Sequence, residues 1–455
     1  METLRLKLAK VPPRNWLLLA ITVSVALRIA ASIAIGNTVE DLPGINDQIS
    51  YHTLSLRLLN GYGFSFGEAW WPATPAGTPT AHWSFLYTFF LAAVYAVFGE
   101  YPLAARLIQA ILVGILQPLL AYAIGRQAFN RSVGLLAAGL TAIYVYFIYY
   151  TAALMTEPFY IVMILLSLYL ALLYVKQGMA GILDRGKDLQ LGSLLGISLG
   201  AAVLFRQIFL LFLPFLFAWV WWVRRRRAGK SPLLPLLISA TIVMGVVLPF
   251  TIYNYIRFDR FVLLNSNAGY AFFFGNHPIY GTKFIPILSD ESGGYWSLIP
   301  KELFGMDEAA LDQELLRRGL GFVRDDPGRY LLLSLSRIPV YFMFWPSQES
   351  GLVSNLSRVL SFGLLWPFML YGVIVSLFIR PWSLSRLVES PAFLLQIFLV
   401  IYTAIHVLTW TLVRYRIPVD AVLVVFAGLA LVDPFQRISS WRSRKQQIAG
   451  QVSQV

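Results

Sequence analysis

Long apolar stretches recur along most of the chain, separated by shorter segments that carry most of the charged residues. A bilayer core about 30 Å thick is crossed by roughly 20 helical residues, because each residue adds 1.5 Å of rise. Stretches of about that length lie at 16–35, 103–125, 132–151, 158–175, 190–205, 207–223, 232–252, 356–379, 391–411 and 414–432. The pattern predicts an all-α polytopic membrane protein with about ten transmembrane helices.

Two shorter apolar runs, at 84–98 and 330–345, are flanked by proline, glycine and aromatic residues. Basic residues concentrate in cytoplasmic loops, so the short basic loops test whether these runs cross the bilayer. If both crossed, the loops around Arg126, Lys176 and Arg225 would fall in inconsistent compartments. We therefore expect both runs to form juxtamembrane helices that lie against the membrane.

The resulting topology places two large regions outside the cytoplasm, at 36–102 and 254–355. We expect the amino terminus inside, because basic residues precede a first span that is too long for a usual signal-peptide core. The chain is then a single membrane-embedded domain, 1–455, with a cytoplasmic tail at 433–455. Its expected location is the plasma (inner) membrane, with an active site on the outer face.

Composition agrees with this assignment and narrows the partners. The chain is 58% hydrophobic and 13% charged, whereas soluble domains carry about a quarter charged residues. The net charge of +13 could suggest nucleic acid, but the basic residues lie in short clusters between spans, where topology explains them. We therefore expect membrane lipids, and no nucleic acid, as partners. The absence of cysteine excludes a disulfide, a thiolate metal site and a cysteine nucleophile.

Asp47 is the candidate catalytic residue. It precedes the segment 48–59, whose apolar positions suit a helix lying on the membrane surface. Its carboxylate could cap that helix, or it could serve as the general base for a hydroxyl or amine acceptor that attacks a sugar. A phosphate leaving group departs without being protonated, so one carboxylate suffices and cations stabilise the departing charge.

Arginines on the outer side, against the positive-inside bias, are the candidate phosphate ligands: Arg206, Arg257, Arg414 and Arg416. An arginine fork pairs bidentately with phosphate oxygens, although arginine at a helix end also reaches the interface for purely structural reasons. Arg28, inside the first apolar stretch, is the one deeply placed charge. A buried cation in a bundle usually has a carboxylate partner or a function, and the sequence does not identify that partner.

Glu157 lies at the outer end of a predicted span, just before a proline. Its carboxylate could interact with the helix amino terminus, or it could contact an acceptor. The histidines His52, His82, His277 and His406 lack the spacing of a metal site. No cofactor is predicted, and a divalent metal is left as an open alternative.

Several short motifs follow one another along nearly the whole chain. They are D-x-x-x-Y from Asp47, N-G-Y-G-F from Asn60, F-G-x-x-x-x-A-A-R-L from Phe98, T-E-P-F from Thr156, L-F-R-Q from Leu204, Y-N-Y-I-R-F-D-R-F-V-L-L-N-S-N-A-G-Y-A-F-F-F-G-N-H-P from Tyr253 and R-Y-R-I-P from Arg414. In order, spacing and placement they resemble the C-type superfamily of polytopic glycosyltransferases, in particular the branch with protein O-mannosyltransferases and the lipid A aminoarabinose transferase.

The resemblance implies an inverting transfer of a sugar from a polyprenyl-phosphate carrier to a glycan, lipid or protein acceptor on the non-cytoplasmic side. It implies that Asp47 is the catalytic base and that Arg206 approaches the carrier phosphate. The full set of substrate-binding candidates is Tyr51, His82, Glu157, Arg206, Arg257, Arg414 and Arg416, and no metal ligand is predicted. Members often carry a second acid after the catalytic aspartate, whereas this chain has Gln48. The segment T-A-H-W also departs from the usual pattern, which leaves the role of His82 open.

Two alternatives remain beside this interpretation. A secondary transporter would place polar groups near the bilayer midplane on broken helices, whereas the polar residues here concentrate at the outer ends of spans, which favours an enzyme. A glycan polymerase or ligase that uses a lipid-diphosphate donor would need the same kind of outer arginines.

Overall fold

The computed structural model describes residues 12–70, 74–179, 185–228, 231–286, 294–347, 351–378 and 383–452, with the side chains of the last helix described as far as residue 434. This part of the chain contains helices, connecting loops and isolated bridges between extended residues, such as the one between Ser65 and Pro79.

The helices run in chain order as follows. They are α1 Pro13–Ile35, α2 Asp47–Leu59, α3 Phe85–Phe98, α4 Pro102–Ala128, α5 Arg131–Ile143, α6 Val145–Ala152, α7 Glu157–Met179, α8 Arg185–Phe205, α9 Leu213–Ala228, α10 Leu233–Phe258, α11 Ala268–Asn276, α12 Glu308–Asp325, α13 Pro327–Tyr341, α14 Leu352–Arg358, α15 Leu364–Phe378, α16 Leu384–Val388, α17 Pro391–Leu408 and α18 Ile417–Val452. Short 3₁₀ turns at Gln207–Phe212 and Val413–Arg416 lead into α9 and α18, and a π turn at Val359–Gly363 leads into α15.

Nine helical segments of the described residues are long and apolar enough to cross a membrane, or ten if one bent pair counts as a single span. The predicted all-α polytopic fold is confirmed. The bent pair is α5 with α6, whose axes differ by 51°, and it occupies the predicted run at 132–151. Tyr144 causes the bend, because its extended backbone (φ −68°, ψ 113°) interrupts the helical hydrogen bonds.

The two ambiguous runs form helices too short to cross a bilayer by themselves. The 14 residues of α3 and the 15 residues of α13 reach only about 21–23 Å at 1.5 Å per residue. Neither is among the segments with the length of a span. Their placement against the membrane surface stays a prediction from the charge pattern.

The spans differ in how deeply they lie in the bundle. The α7 span and the final span, Val413–Pro434, are mostly buried by their neighbours, whereas α1 is mostly exposed at the edge. Exposed apolar side chains on α1 suit contact with lipid. Residues at the start of α7 and at the start of the final span therefore lie near the centre of one face of the bundle, the face that the charge pattern predicts to be the outer one.

Arg28 lies on the buried side of α1. Its guanidinium donates to the Ser24 hydroxyl at 2.6 Å, to the Gln117 amide oxygen at 2.9 Å and to the Ala142 carbonyl oxygen at 3.5 Å. No carboxylate of the described residues lies within ion-pair distance of it. The partners that the sequence could not identify are therefore neutral groups on α1, α4 and α5.

The two predicted outer regions pack against each other through a buried carboxylate. Glu308, at the start of α12, is 2% exposed and lies between the two regions. It accepts hydrogen bonds from the hydroxyls of Thr74 (2.5 Å), Thr80 (2.7 Å) and Ser266 and from the Ala81 amide (2.8 Å). These donors satisfy a carboxylate that would otherwise be costly to bury.

Close backbone approach explains two glycines of the long second-region motif. A Cβ at Gly269 would lie 1.8 Å from the backbone oxygen of Asp312, and one at Gly275 would lie 2.2 Å from that of Thr409. Only glycine allows α11 to pack this closely against α12 and against the segment that leads to the final span. This packing brings the second outer region next to the R-Y-R motif.

Candidate active site

Asp47 lies beside Arg414 in the folded chain. It begins α2, and the helix cap is Asn46, which makes no capping bond through its side chain. The Arg414 Nη1 donates to Asp47 Oδ2 at 3.1 Å, across a separation of 367 residues. The two side chains remain 18% and 15% exposed, Asp47 being the more exposed. The carboxylate is therefore directed at an arginine of the final span.

Arg206 forms a second ion pair close to the first. It follows α8, and its Nη2 donates to Glu157 Oε1 while its Nε donates to the Thr156 hydroxyl at 3.1 Å. Glu157 stands in the first turn of α7 and is 1% exposed, whereas the side chain of Arg206 is 18% exposed. Burial lowers the pKa of Arg206, but Glu157 together with Tyr415 and Tyr402 more than offsets this, so the pKa lies above its ordinary value.

Tyr415 joins the two ion pairs. Its ring centroid lies 5.4 Å from the guanidinium carbon of Arg206 and 5.4 Å from that of Arg414. His406 stacks on the same ring at 4.9 Å. We call Asp47, Glu157, Arg206 and Arg414, arranged around Tyr415, the outer cluster.

The outer cluster contains two formal positive and two formal negative charges. The two ion pairs make the cluster neutral overall, and each arginine still presents donors beyond those in its ion pair. The Nε of Arg414 is buried and has no hydrogen-bond partner. The Arg414 side chain is 15% exposed beside a carboxylate that is 18% exposed, and a partly exposed guanidinium in this position suits an anion next to a general base.

Tyr51 lies one helical turn after Asp47, on the same side of α2. It is 5% exposed, and its ring packs edge-on against Trp83 at 5.5 Å and Tyr87 at 4.9 Å. Its hydroxyl accepts a bond from the Ser84 amide at 3.4 Å. Burial, and then the charge of Asp47, raises the pKa of Tyr51 well above its ordinary value, so this phenol stays protonated and can act as a donor.

His82 lies where the two outer regions meet. Its Nδ1 is 3.0 Å from the Ser266 carbonyl oxygen, which makes Nδ1 the nitrogen that carries the proton. The ring packs against Trp83 and Tyr270. Burial lowers the pKa of His82, while Glu308, Ser266 and Asp47 act in the opposite direction.

The remaining two predicted arginines lie outside the outer cluster. Arg257 is exposed near the end of α10, with its guanidinium 5.4 Å from the ring centroid of Tyr253. Arg416 is fully buried and pairs with Asp420 at 2.9 Å. The structure thus brings Arg206 and Arg414 together with the two carboxylates, and it separates Arg257 and Arg416 from them.

Three residues of this arrangement received no role from the sequence. Thr156 and Tyr415 were visible only as letters of the T-E-P-F and R-Y-R motifs. Asp420 stands four residues after Arg416, and that spacing on a helix favours an ion pair, so the sequence did contain a signal for this contact.

The side chain of Gln48, the residue after Asp47, is directed away from the outer cluster. The Gln48 side chain accepts a bond from Arg106 Nη2 at 3.1 Å and donates to the Glu40 carbonyl oxygen. Among the residues that the structure describes, no three histidine, aspartate or glutamate side chains are grouped so that they could hold a metal ion.

Known proteins resemble this chain in part of its sequence and in its fold. A family model described as dolichyl-phosphate-mannose-protein mannosyltransferase matches residues 82–253, which is less than half of the chain. The solved structure of the archaeal oligosaccharyltransferase AglB from Archaeoglobus fulgidus, in complex with an inhibitory peptide and a dolichol-phosphate, aligns with 96% of this chain at a TM-score of 0.59 and 19% identity. The apo form of the oligosaccharyltransferase from that organism aligns over the same share at a TM-score of 0.60 and 18% identity.

The chain has a C-type glycosyltransferase fold. The resemblance predicted from the motifs is thereby confirmed. ArnT from Cupriavidus metallidurans, solved bound to undecaprenyl phosphate, aligns with 92% of this chain and 60% of its own length, at a TM-score of 0.50 and 13% identity. The chain spans 52% of the length of the two oligosaccharyltransferase structures. A sequence search of curated proteins found no match.

Within the C-type fold, the family match at 82–253 begins at His82 and includes Glu157 and Arg206. Asp47 and Arg414 lie outside the matched residues. Any role proposed for these two residues therefore rests on the geometry of this chain.

Proposed function

We propose that the protein is an inverting glycosyltransferase that moves a sugar from a polyprenyl-phosphate carrier to an acceptor on the non-cytoplasmic side. The observation that carries this proposal is the ion pair between Asp47 and Arg414, which places a candidate base beside a candidate phosphate ligand. The second pair, Arg206 with Glu157, adds another cation across the Tyr415 ring.

In the proposed reaction, an acceptor hydroxyl or amine attacks the anomeric carbon of the donor sugar. Its proton passes to Asp47 as the new glycosidic bond forms. The bond between the anomeric carbon and the phosphate oxygen breaks, and the polyprenyl phosphate departs with the electron pair. Arg206 and Arg414 stabilise the departing charge, and a single displacement inverts the anomeric configuration.

Known proteins with this fold support the choice of donor. The AglB structure holds a dolichol-phosphate, and the ArnT structure holds undecaprenyl phosphate. Both ligands are polyprenyl monophosphates, which is the product that the proposed reaction releases. Tyr51 and His82, which line the first outer region beside Asp47, are proposed to contact the sugar or the acceptor, and Arg257 is proposed as a peripheral contact for the carrier.

The transfer itself is the first test. Purified protein in detergent or liposomes is incubated with polyprenyl-phosphate sugars and envelope extracts as acceptor source. We expect release of polyprenyl phosphate together with a glycosylated product. Release of polyprenyl diphosphate from a diphosphate donor would instead identify a polymerase or ligase, and movement of substrate without any product would identify a transporter.

Topology is the second test, because Asp47 can meet Arg206 and Arg414 only if all three face the same side of the membrane. The chain has no native cysteine, so single cysteines at the exposed positions Ala69, Ser297 and Ser231 can be labelled in intact cells with an impermeant thiol reagent. We expect labelling at the first two positions and protection at the third. Opposite behaviour of the first two would separate the outer regions and contradict the proposal.

A further inference from the structure

Arg416 is buried, and most of its hydrogen-bond donors are directed at other groups of the protein. It is 0% exposed, and its Nε donates to Asp420 Oδ1 at 2.9 Å. Its Nη1 donates to the carbonyl oxygens of Tyr341 at 2.9 Å and Met343 at 3.2 Å. Its guanidinium carbon lies 3.4 Å from the ring centroid of Phe362. The Nη2 has no hydrogen-bond partner but is also buried, so a lipid phosphate could reach this guanidinium only by displacing protein.

Asp420 extends the contact to another span. Its second oxygen accepts a hydrogen bond from the Tyr144 hydroxyl at 2.7 Å, and Tyr144 is the residue at the bend between α5 and α6. We call Tyr144, Asp420 and Arg416 the buried triad. It connects the bend of one span, the start of α18 and, through the Tyr341 and Met343 carbonyls, the end of α13.

Arg416 of the buried triad is the last residue of the short turn Val413–Arg416. This turn follows an irregular segment after α17, and among the bonds in its backbone is one from the Tyr415 amide to the Leu412 oxygen at 3.0 Å. A single turn of this kind does not define the direction of a long side chain, so anchoring by neighbouring elements decides it. Tyr341 adds to that anchoring by donating its hydroxyl to the Tyr415 carbonyl oxygen at 3.2 Å.

We propose that Arg416 is a positioning residue, and that the buried triad holds the Val413–Arg416 turn so that Arg414 is aimed at the departing phosphate. The catalytic part of this inference rests on the proposed function. Its structural part, that the triad orders the turn, stands independently of any reaction. Groups that stabilise a transition state must be held within about 0.5 Å of their productive geometry, which is the reason a turn bearing such a group needs rigid support.

The structural part is tested with Tyr144→Phe, which removes one hydroxyl and no charge. Hydrogen exchange followed by mass spectrometry reports on the amides of Val413–Arg416. We expect these amides to exchange at least about threefold faster in the variant than in the wild type, because one anchor of Asp420 is lost. The matched control is Tyr371→Phe. Tyr371 lies on α15, and its hydroxyl donates to Asp433 at 2.8 Å; Asp433 lies on α18, as Asp420 does. Loss of this other tyrosine–aspartate bond should leave the turn unchanged.

The catalytic part is tested by kinetics with a polyprenyl-phosphate sugar. Tyr144→Phe should lower kcat about tenfold and leave the donor KM within about twofold, because Arg414 is still present to bind the donor phosphate but is held less well against the charge that develops in the transition state. In an Arg414→Lys background, the same change should have little further effect, since it acts through Arg414. A purely structural loss of stability would lower activity equally in both backgrounds.

Each result bears on a separate claim. Unchanged exchange in Tyr144→Phe would overturn the inference, whatever the enzyme does. Faster exchange with unchanged kcat would show that the triad orders the turn without serving catalysis, and would overturn the catalytic part. Faster exchange in a protein that transfers no sugar from any polyprenyl-phosphate donor would remove the proposed function while leaving the ordering of the turn in place.

Discussion

Arg414 and Arg416 are two residues apart but belong to regions of opposite character. Arg414, in the outer cluster, is 15% exposed and pairs with a carboxylate that is 18% exposed. Arg416, in the buried triad, pairs with a carboxylate that is 0% exposed and is enclosed by two carbonyl oxygens and an aromatic ring. The outer pair is open to a ligand, whereas the buried pair is enclosed by protein.

This difference shows how the role of an arginine depends on what surrounds it. A guanidinium with spare donors at a partly exposed edge can bind a phosphate, while an enclosed one can only fix its neighbours. Both arginines belong to the same R-Y-R motif, and motif membership alone does not separate them. Three predictions test whether the two regions differ as described, and a fourth concerns a carboxylate outside both of them.

The largest effect is expected from Asp47→Asn in the outer cluster. Because a general base contributes about 10²–10⁴-fold to rate, transfer should fall by that factor while binding of polyprenyl phosphate stays near that of the wild type. The matched control is Asp41→Asn, which changes an exposed carboxylate of the first predicted outer region, 36–102. This variant should keep the activity of the wild type. If the Asp47→Asn variant turned over as fast as the wild type, Asp47 would have no part in the mechanism.

The next effect concerns stability and the buried triad. Asp420→Asn leaves the buried charge of Arg416 without its counterion, so the free energy of unfolding should fall by about 3–5 kcal/mol. Combining Arg416→Met with Asp420→Leu removes both charges and should recover most of that loss. Thermal unfolding in detergent measures both.

The outer pair should behave differently in the same measurement. Asp47→Asn breaks a partly exposed ion pair, and we expect a loss of no more than about 1 kcal/mol. Equal losses of stability for Asp47→Asn and Asp420→Asn would show that the two regions do not differ in the way described.

A smaller effect is expected on donor binding when Arg414 is changed. Arg414→Ala should weaken binding of the polyprenyl-phosphate donor by about 10- to 100-fold, since it removes a charged hydrogen-bond donor. Arg414→Lys should weaken it less, because the charge remains while the bidentate fork is lost. Arg257→Ala, at an exposed position outside the cluster, provides the comparison, and a loss equal to that of Arg414→Ala would place the phosphate elsewhere.

The smallest effect is expected from a carboxylate that belongs neither to the outer cluster nor to the buried triad. Asp312 accepts bonds from the Gly269 and Tyr270 amides (2.8 and 3.2 Å), and burial raises its pKa to about 7 despite those bonds. A raised folded-state pKa means that the stability present when the carboxyl is protonated is lost as the pH rises toward 7. Asp312→Asn should therefore stabilise the protein by about 1 kcal/mol at pH 8 and by less at pH 5, a modest value because the side chain keeps partial contact with water.

A thermal unfolding series from pH 5 to pH 8 measures this effect. The outer cluster should be unaffected, so the rate of transfer at each pH should match that of the wild type. A destabilised Asp312→Asn variant at pH 8 would show that Asp312 is held in its charged form.

Much of the fold could be predicted from the sequence, because a span is recorded locally in about 20 consecutive residues. The apolar runs matched the spans of the described chain, including the run at 132–151, although its bend at Tyr144 was not foreseen. The motifs also identified the residues that the structure later gathers. Asp47, Glu157, Arg206 and Arg414 each stand in one of those motifs.

Tertiary structure alone decided which of these residues meet. The pairing of Asp47 with Arg414 spans 367 residues, and no local pattern records a contact of that separation. The same holds for Arg416, whose isolation from the outer cluster depends on Tyr144 and Tyr341 arriving from other helices. Hydrophobic periodicity specifies which segments are helices, because it acts along the chain, whereas the partner of each charge depends on how those helices pack against one another.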